Sequence, residues 1–196
     1  MMDINTTFGY WVRVAPFAGY EIQKYSRPAF VGKHETPETL DNITIGQLIE
    51  LSSLQDDTAL YKIPEIVLGI EAQELETLRA VEVVRFIGWV ISETERINKL
   101  FARTNVKPTE QEQKAGISRL QFGLFGMVDW YAQRMVISDH EQVMQVPWLR
   151  IYKCLDMDSK KTLYERKLQE VINDEYRRKS KSNRAKRRVP RIHIRL

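Results

Sequence analysis

A chain of 196 residues, 43% hydrophobic and 10% aromatic, can bury one sizeable core or two small ones closely joined, which excludes disorder throughout. Its charge is unevenly placed: Tyr176 to Leu196 hold ten Lys or Arg and no Asp or Glu, so a net charge of +4 leaves residues 1–175 at −6. A single cysteine, Cys154, excludes an internal disulfide and a multi-cysteine metal centre, and fits a reducing compartment.

The first residues show no basic leader followed by an apolar run and a small-residue cleavage site. The most apolar stretch, Val81 to Ile91, contains Glu82 and Arg85 and falls short of the roughly 20 residues that span a bilayer. The expectation is a soluble chain of intracellular origin with no membrane partner.

Taken in chain order, residues 8–14 (FGYWVRV) and 20–31 (YEIQKYSRPAFV) combine aromatic and β-branched residues with the turn formers Pro16, Gly19 and Pro28. They read as one or two short strands or an extended arm, with Pro28 confining the second piece to an edge. After the polar hinge 34–42 the period lengthens to about three and a half. Thr44 followed by Gln47 is a capping box, and Ile45, Leu48, Leu51 and Leu54 share one face, so a helix spans about 44–54. Asp57 is placed to cap the next helix, and Pro64 suits the first turn of a further piece through Ile70. From Glu74 to Arg103 the apolar positions Val83, Ile87, Val90, Ile97 and Phe101 follow a heptad track, and the first half is apolar almost all round, as a central helix requires.

Residues 104–114 carry turn formers and no period, and read as a linker. The pattern then starts again. Ile43-Thr44-Ile45-Gly46 has a counterpart in Leu120-Gln121-Phe122-Gly123, and Ile63-Pro64 one in Val146-Pro147. Either residues 43–103 and 120–176 are weak repeats, or two helical segments obey the same rules. The last helix has Tyr164, Leu168, Val171 and Ile172 on one face. The expected architecture is mainly α: a β or extended arm (1–40), a helical body (41–176) and an extended basic tail (177–196).

The runs ITIGQLIELSSL (43–54), with Ile43, Thr44, Gly46, Gln47 and Leu51, and VLGIEAQELETL (67–78) resemble the opening of small tailed-phage proteins encoded among head and tail assembly genes, tail assembly chaperones among them. The aromatic arm and the basic tail depart from a compact chaperone. They turn the expectation implied by the resemblance towards a structural component of the virion, in the capsid, portal or tail region, such as a crAss-like phage particle, made in the host cytoplasm.

Catalytic chemistry finds little support. His34, His140 and His193 have no second His or Cys at ligand spacing, so no metal site is expected. His140 reads as a solvated turn residue, and Cys154 as a small buried helix residue. Gly116, Gly123 and Gly126 fit neither nucleotide-binding glycine pattern. Glu93 and Glu95, like Asp156 and Asp158, are two apart and point to different helix faces, which makes them surface charge rather than a shared-proton pair. No cofactor, small-molecule substrate or enzymatic activity is expected.

Of the four tryptophans, Trp89 belongs to the core, while Trp11, in an arm without a core of its own, is expected to dock on a partner subunit. The basic end repels itself and is expected to be disordered in isolation, ordering against nucleic-acid phosphates or an acidic protein groove. Its anion-contacting residues are Arg177, Arg178, Lys179, Lys181, Arg184, Lys186, Arg187 and Arg188. Beyond Pro190, Ile192, Ile194 and Leu196 alternate with charged residues and suit strand addition to another subunit's sheet. Three functions fit: a virion structural protein contacting copies of itself, other virion proteins or packaged DNA; a tail assembly chaperone; or a nucleic-acid-binding regulator.

Overall fold

The computed structural model describes residues 5–15, 25–54, 58–120 and 122–187, the side chains as far as Ser182. The chain is mainly helical, with a two-stranded sheet near the N-terminus. It divides into two units, Met1–Cys154 and Leu155–Leu196, a boundary upstream of the one expected at residue 176.

In the first unit, Phe8–Val14 is helix α1 and not a strand. Phe8, Trp11 and Ala15 are buried at helical spacing, a period that tertiary contact imposes over the β-leaning composition. The start of α1 is clamped by a backbone bridge between Thr7 and Arg79: Phe8 N–H donates to Leu78 O at 2.8 Å and Ala80 N–H to Thr6 O at 2.9 Å. The same clamp explains why the expected 74–103 helix is two: α4 (Ala72–Thr77) stops where Leu78 turns its carbonyl to Phe8, and α5 (Ala80–Arg103) starts beyond it. Gly9 lets α1 approach α4, since a Cβ there would lie 3.0 Å from Glu76 Cβ.

Strands β1 (Phe30–Val31) and β2 (His34–Glu35) pair antiparallel, Phe30 opposite Glu35 and Val31 opposite His34. Gly32 at the turn takes φ 58, the left-handed region that glycine enters without strain. Helix α2 (Ile45–Ser53) begins with the expected capping box: Gln47 N–H donates to Thr44 Oγ1 at 3.1 Å and Thr44 N–H to Gln47 Oε1 at 2.9 Å. Helix α3 (Ala59–Leu68) holds Pro64 in its interior rather than its first turn, and ends on Gly69 in the left-handed conformation. The capping residue proposed for it, Asp57, lies outside the described residues.

Helix α5 is the centre of this unit. It packs on α1, α2, α3 and β1 and buries Val83, Val84, Phe86, Ile87, Trp89, Val90 and Ile97, covering more than one side as its composition requires. The expected linker contains a short helix, α6 (Glu110–Lys114), capped by Thr109 and Glu112, followed by a 3-10 turn at Ile117–Arg119. Helices α7 (Gly123–Met135) and α8 (His140–Met144) pack on each other, and α8 packs on α2.

Helix α9 runs from Trp148 to Arg187. Its first turns close the core of the first unit. Trp148 Nε1 donates to Leu40 O at 2.7 Å inside the protein, Trp148 N–H donates to Ile43 O, and Ile45 N–H donates to Val146 O. Phe101, Trp148 and Tyr152 form an aromatic cluster with ring centroids about 6 Å apart.

The stretches aligned as repeats play different parts. Ile45 and Leu48 are buried, whereas Phe122 and Phe125 are exposed.

Candidate functional site

The second unit is built from one helix. No Gly or Pro occurs between Pro147 and Pro190, and Lys, Arg, Glu, Leu and Gln, all good helix formers, dominate the interval. Ion pairs one turn apart brace it: Lys160 to Asp156 at 2.7 Å, Lys161 to Glu165 at 3.8 Å and Lys167 to Glu170 at 3.1 Å. Met157, Tyr164, Leu168, Val171 and Ile172 recur at spacings of seven, four, three and one and lie on one face. All five are exposed, Leu168 at 43%.

The basic residues follow on the same helix. Arg177, Arg178, Lys179 and Lys181 are exposed and helical, where an extended segment was expected. Helix continuation has a physical basis: Lys, Arg and Ala favour it, and cations near a helix C-terminus meet the negative end of its dipole. Four cations within five positions point to several sides of the helix and form a positive collar around it. Arg184, Lys186 and Arg187 belong to α9 by backbone, with side chains outside the described residues. Arg188, Ile192, Ile194 and Leu196 lie outside the described residues altogether.

Trp11 is 6% exposed, its ring stacked on Phe8 at 5.8 Å within its own chain. The expected docking of Trp11 on a partner subunit is therefore corrected. The arm has a core to enter because the Thr7–Arg79 clamp holds it against α4 and α5.

Other residues are placed more firmly than their sequence context indicated. His140 Nε2 lies 3.2 Å from Asp129 Oδ1, and its ring meets Phe125 edge to face. His34 Nε2 lies 3.0 Å and Lys33 Nζ 2.9 Å from Glu74 Oε1, joining the hairpin to α4. These hydrogen bonds, the one with His34 first, hold the Glu74 carboxyl below its ordinary value of 4.5. Arg96 bonds Glu93, one turn away on α5, at 2.8 Å and Asp41 at 3.1 Å, so Arg96 ties α5 to the segment before α2, and Glu93 is its partner within the helix rather than free surface charge. Its guanidinium is held above its ordinary pKa, chiefly by Glu93. Cys154 is half-buried.

A second apolar surface belongs to the first unit. Leu120, Phe122, Leu124 and Phe125 are exposed, Phe122 at 68%, around the start of α7. Their sequence, with hydrophobic residues at almost every position and glycines between, has no period by which burial could be assigned.

Among the described residues, no group of three or more His, Cys, Asp or Glu is placed to hold a metal ion, and no helix is long and apolar enough to cross a membrane. Comparison with protein-family models, curated proteins and solved structures returns no match. What α9 offers chemically is association: an apolar stripe for a partner helix, and a cationic collar for a polyanion.

Proposed function

We propose that this chain is a non-enzymatic structural component of a phage virion, in the capsid, portal or tail region. It packs against neighbouring subunits through α9 and meets packaged DNA or an acidic protein surface with the basic end of that helix. The observation that carries this reading is the exposure of Met157, Tyr164, Leu168, Val171 and Ile172 on a helix that ends in a run of cations. Most helical stability in proteins comes from packing an apolar face rather than from propensity, and this face is exposed. A neighbouring subunit supplies that packing. The phage setting rests on the resemblance of residues 43–78 to tailed-phage assembly proteins.

A tail assembly chaperone is the second reading, favoured by the exposed Leu120, Phe122, Leu124 and Phe125, a surface suited to shielding an apolar partner transiently. Mass spectrometry of finished particles separates the two: a structural component is present at fixed stoichiometry, and a chaperone is absent. The anion contact is tested by titrating DNA of several sequences at graded salt. Neutralising about six phosphates gives a log-log slope near −5 with little dependence on sequence. A slope near zero removes the DNA role.

A further inference from the structure

We infer that the second unit pairs with the same unit of a second copy of this chain, as an antiparallel helix contact centred on Leu168. This names one partner within the proposed function and is separable from it by experiment.

The stripe itself sets the register. Lys161 and Glu175 lie seven residues to either side of Leu168, two helical turns each way, so all three share one face. In an antiparallel pair whose two-fold axis passes through Leu168, Lys161 of each copy faces Glu175 of the other, and Leu168 meets Leu168. Tyr164, Val171 and Ile172 fill the layers between them.

The flanks agree with this register. Asp156 and Asp158 come alongside Arg178 and Lys179 of the second copy, and Lys160 alongside Asp174. A parallel in-register pair would instead set Lys161 on Lys161, Glu175 on Glu175 and the two cationic collars side by side, a like-charge arrangement that destabilises helix contacts. Axes 8–10 Å apart place these long side chains within reach of each other. The pairs within the helix, such as Lys161 with Glu165 at 3.8 Å, are exposed and weak, so exchanging them for contacts across the interface costs little. The stems of Lys179 also cover Met157.

The test uses the full chain. Sedimentation should give a dimer, and Leu168→Asp should give a monomer whose circular dichroism and thermal transition report an intact first unit. Lys161→Glu should weaken dimerisation about tenfold, and the double variant Lys161→Glu/Glu175→Lys should restore it. Orientation is read in a Cys154→Ser background by mixing a Lys161→Cys chain with a Glu175→Cys chain and adding a short bis-maleimide. The antiparallel pair gives the mixed 161–175 product, because its two copies of position 161 are about 20 Å apart along the axis.

A monomer at high micromolar concentration, a dimer indifferent to Leu168→Asp, or a predominant 161–161 product would each overturn the inference. A monomer that still binds DNA with the steep salt slope would overturn the dimer and leave the anion role standing. A dimer missing from finished particles would do the reverse for the virion reading.

Discussion

Helix α5 and the middle of α9, from Met157 to Ile172, both line up apolar side chains on one face, yet those faces end differently. In α5 the first unit covers Val83, Phe86, Ile87 and Val90 almost completely, whereas beyond Leu155 the stripe of α9 stays open to water. Burial in α5 comes from neighbouring elements of the same chain, α1, α2, α3 and β1 among them. The second unit consists, in its described residues, of helix alone. The contrast separates what a side chain does for the fold from what it offers to a partner: the same Leu or Val stabilises the monomer in one helix and remains available in the other. It is sharpest within α9 itself, where Trp148 and Ile151 are fully buried and Leu168, farther along the same helix, is not.

Substitution at the start and in the middle of α9 tests this contrast with the largest expected effect. Trp148→Ala removes a fully buried indole and leaves the Leu40 carbonyl without its 2.7 Å donor, and should cost about 4 kcal/mol. Leu168→Ala should change the unfolding free energy of the first unit by less than about 0.5 kcal/mol, while weakening self-association. Urea denaturation followed by tryptophan fluorescence at low protein concentration measures both. Equal losses from the two substitutions would erase the distinction between the two parts of α9.

Trp11 sharpens the comparison from the N-terminal side. Buried against Phe8, it acts for the fold in the way Trp148 does, and Trp11→Ala should destabilise the first unit by about 3 kcal/mol. A contact reserved for a partner would leave the isolated chain as stable as before and appear only in assembly.

How much of this was legible follows from the range of the interactions. The Thr44 capping box and the all-round apolar half of α5 are local signals, and both stand in the structure. The break between α4 and α5 was hidden because its cause, the Thr7–Arg79 bridge, joins residues far apart in sequence. The same bridge turned residues 8–14 from apparent strand to helix. Helix α6 carries a legible Thr109–Glu112 signature, but with no buried residue it has no apolar period to announce it. In the candidate site, the face formed by Tyr164, Leu168, Val171 and Ile172 could be read from spacing. Its exposure could not, since spacing shows which residues share a side and not whether anything covers that side.

Val136 offers a smaller test within the first unit. It closes α7 with φ 55, the only positive φ on a non-glycine among the described residues, and is 91% exposed, so its side chain returns almost no burial for a strained backbone. A left-handed conformation costs a side-chain-bearing residue about 1–2 kcal/mol, and β-branching worsens the fit. Val136→Gly should therefore stabilise the first unit by about 1 kcal/mol in thermal unfolding, with Val136→Asn intermediate. A loss of stability would mean that Val136 holds the α7–α8 turn by a contact stronger than its exposure implies.

The smallest expected effect separates ion pairs that join elements from those that brace one helix. Glu74 bonds His34 and Lys33 across forty residues of sequence, whereas the pairs of α9 link neighbouring turns. With its carboxyl held below 4.5 in the folded chain, Glu74 binds fewer protons folded than unfolded as pH falls through that region. Its contribution is therefore complete above the unfolded value and is lost as pH drops through the lowered folded value. Glu74→Gln should accordingly lower the urea midpoint at pH 7, and the gap to the parent chain should close as pH falls below 4.5 and through the lowered folded value. Asp156→Asn, which removes a pair internal to α9, should leave the midpoint of the first unit unchanged at both pH values. A Glu74→Gln deficit that stayed constant with pH would show that the side chain acts through packing, and the hairpin would then be joined to α4 by shape rather than by charge.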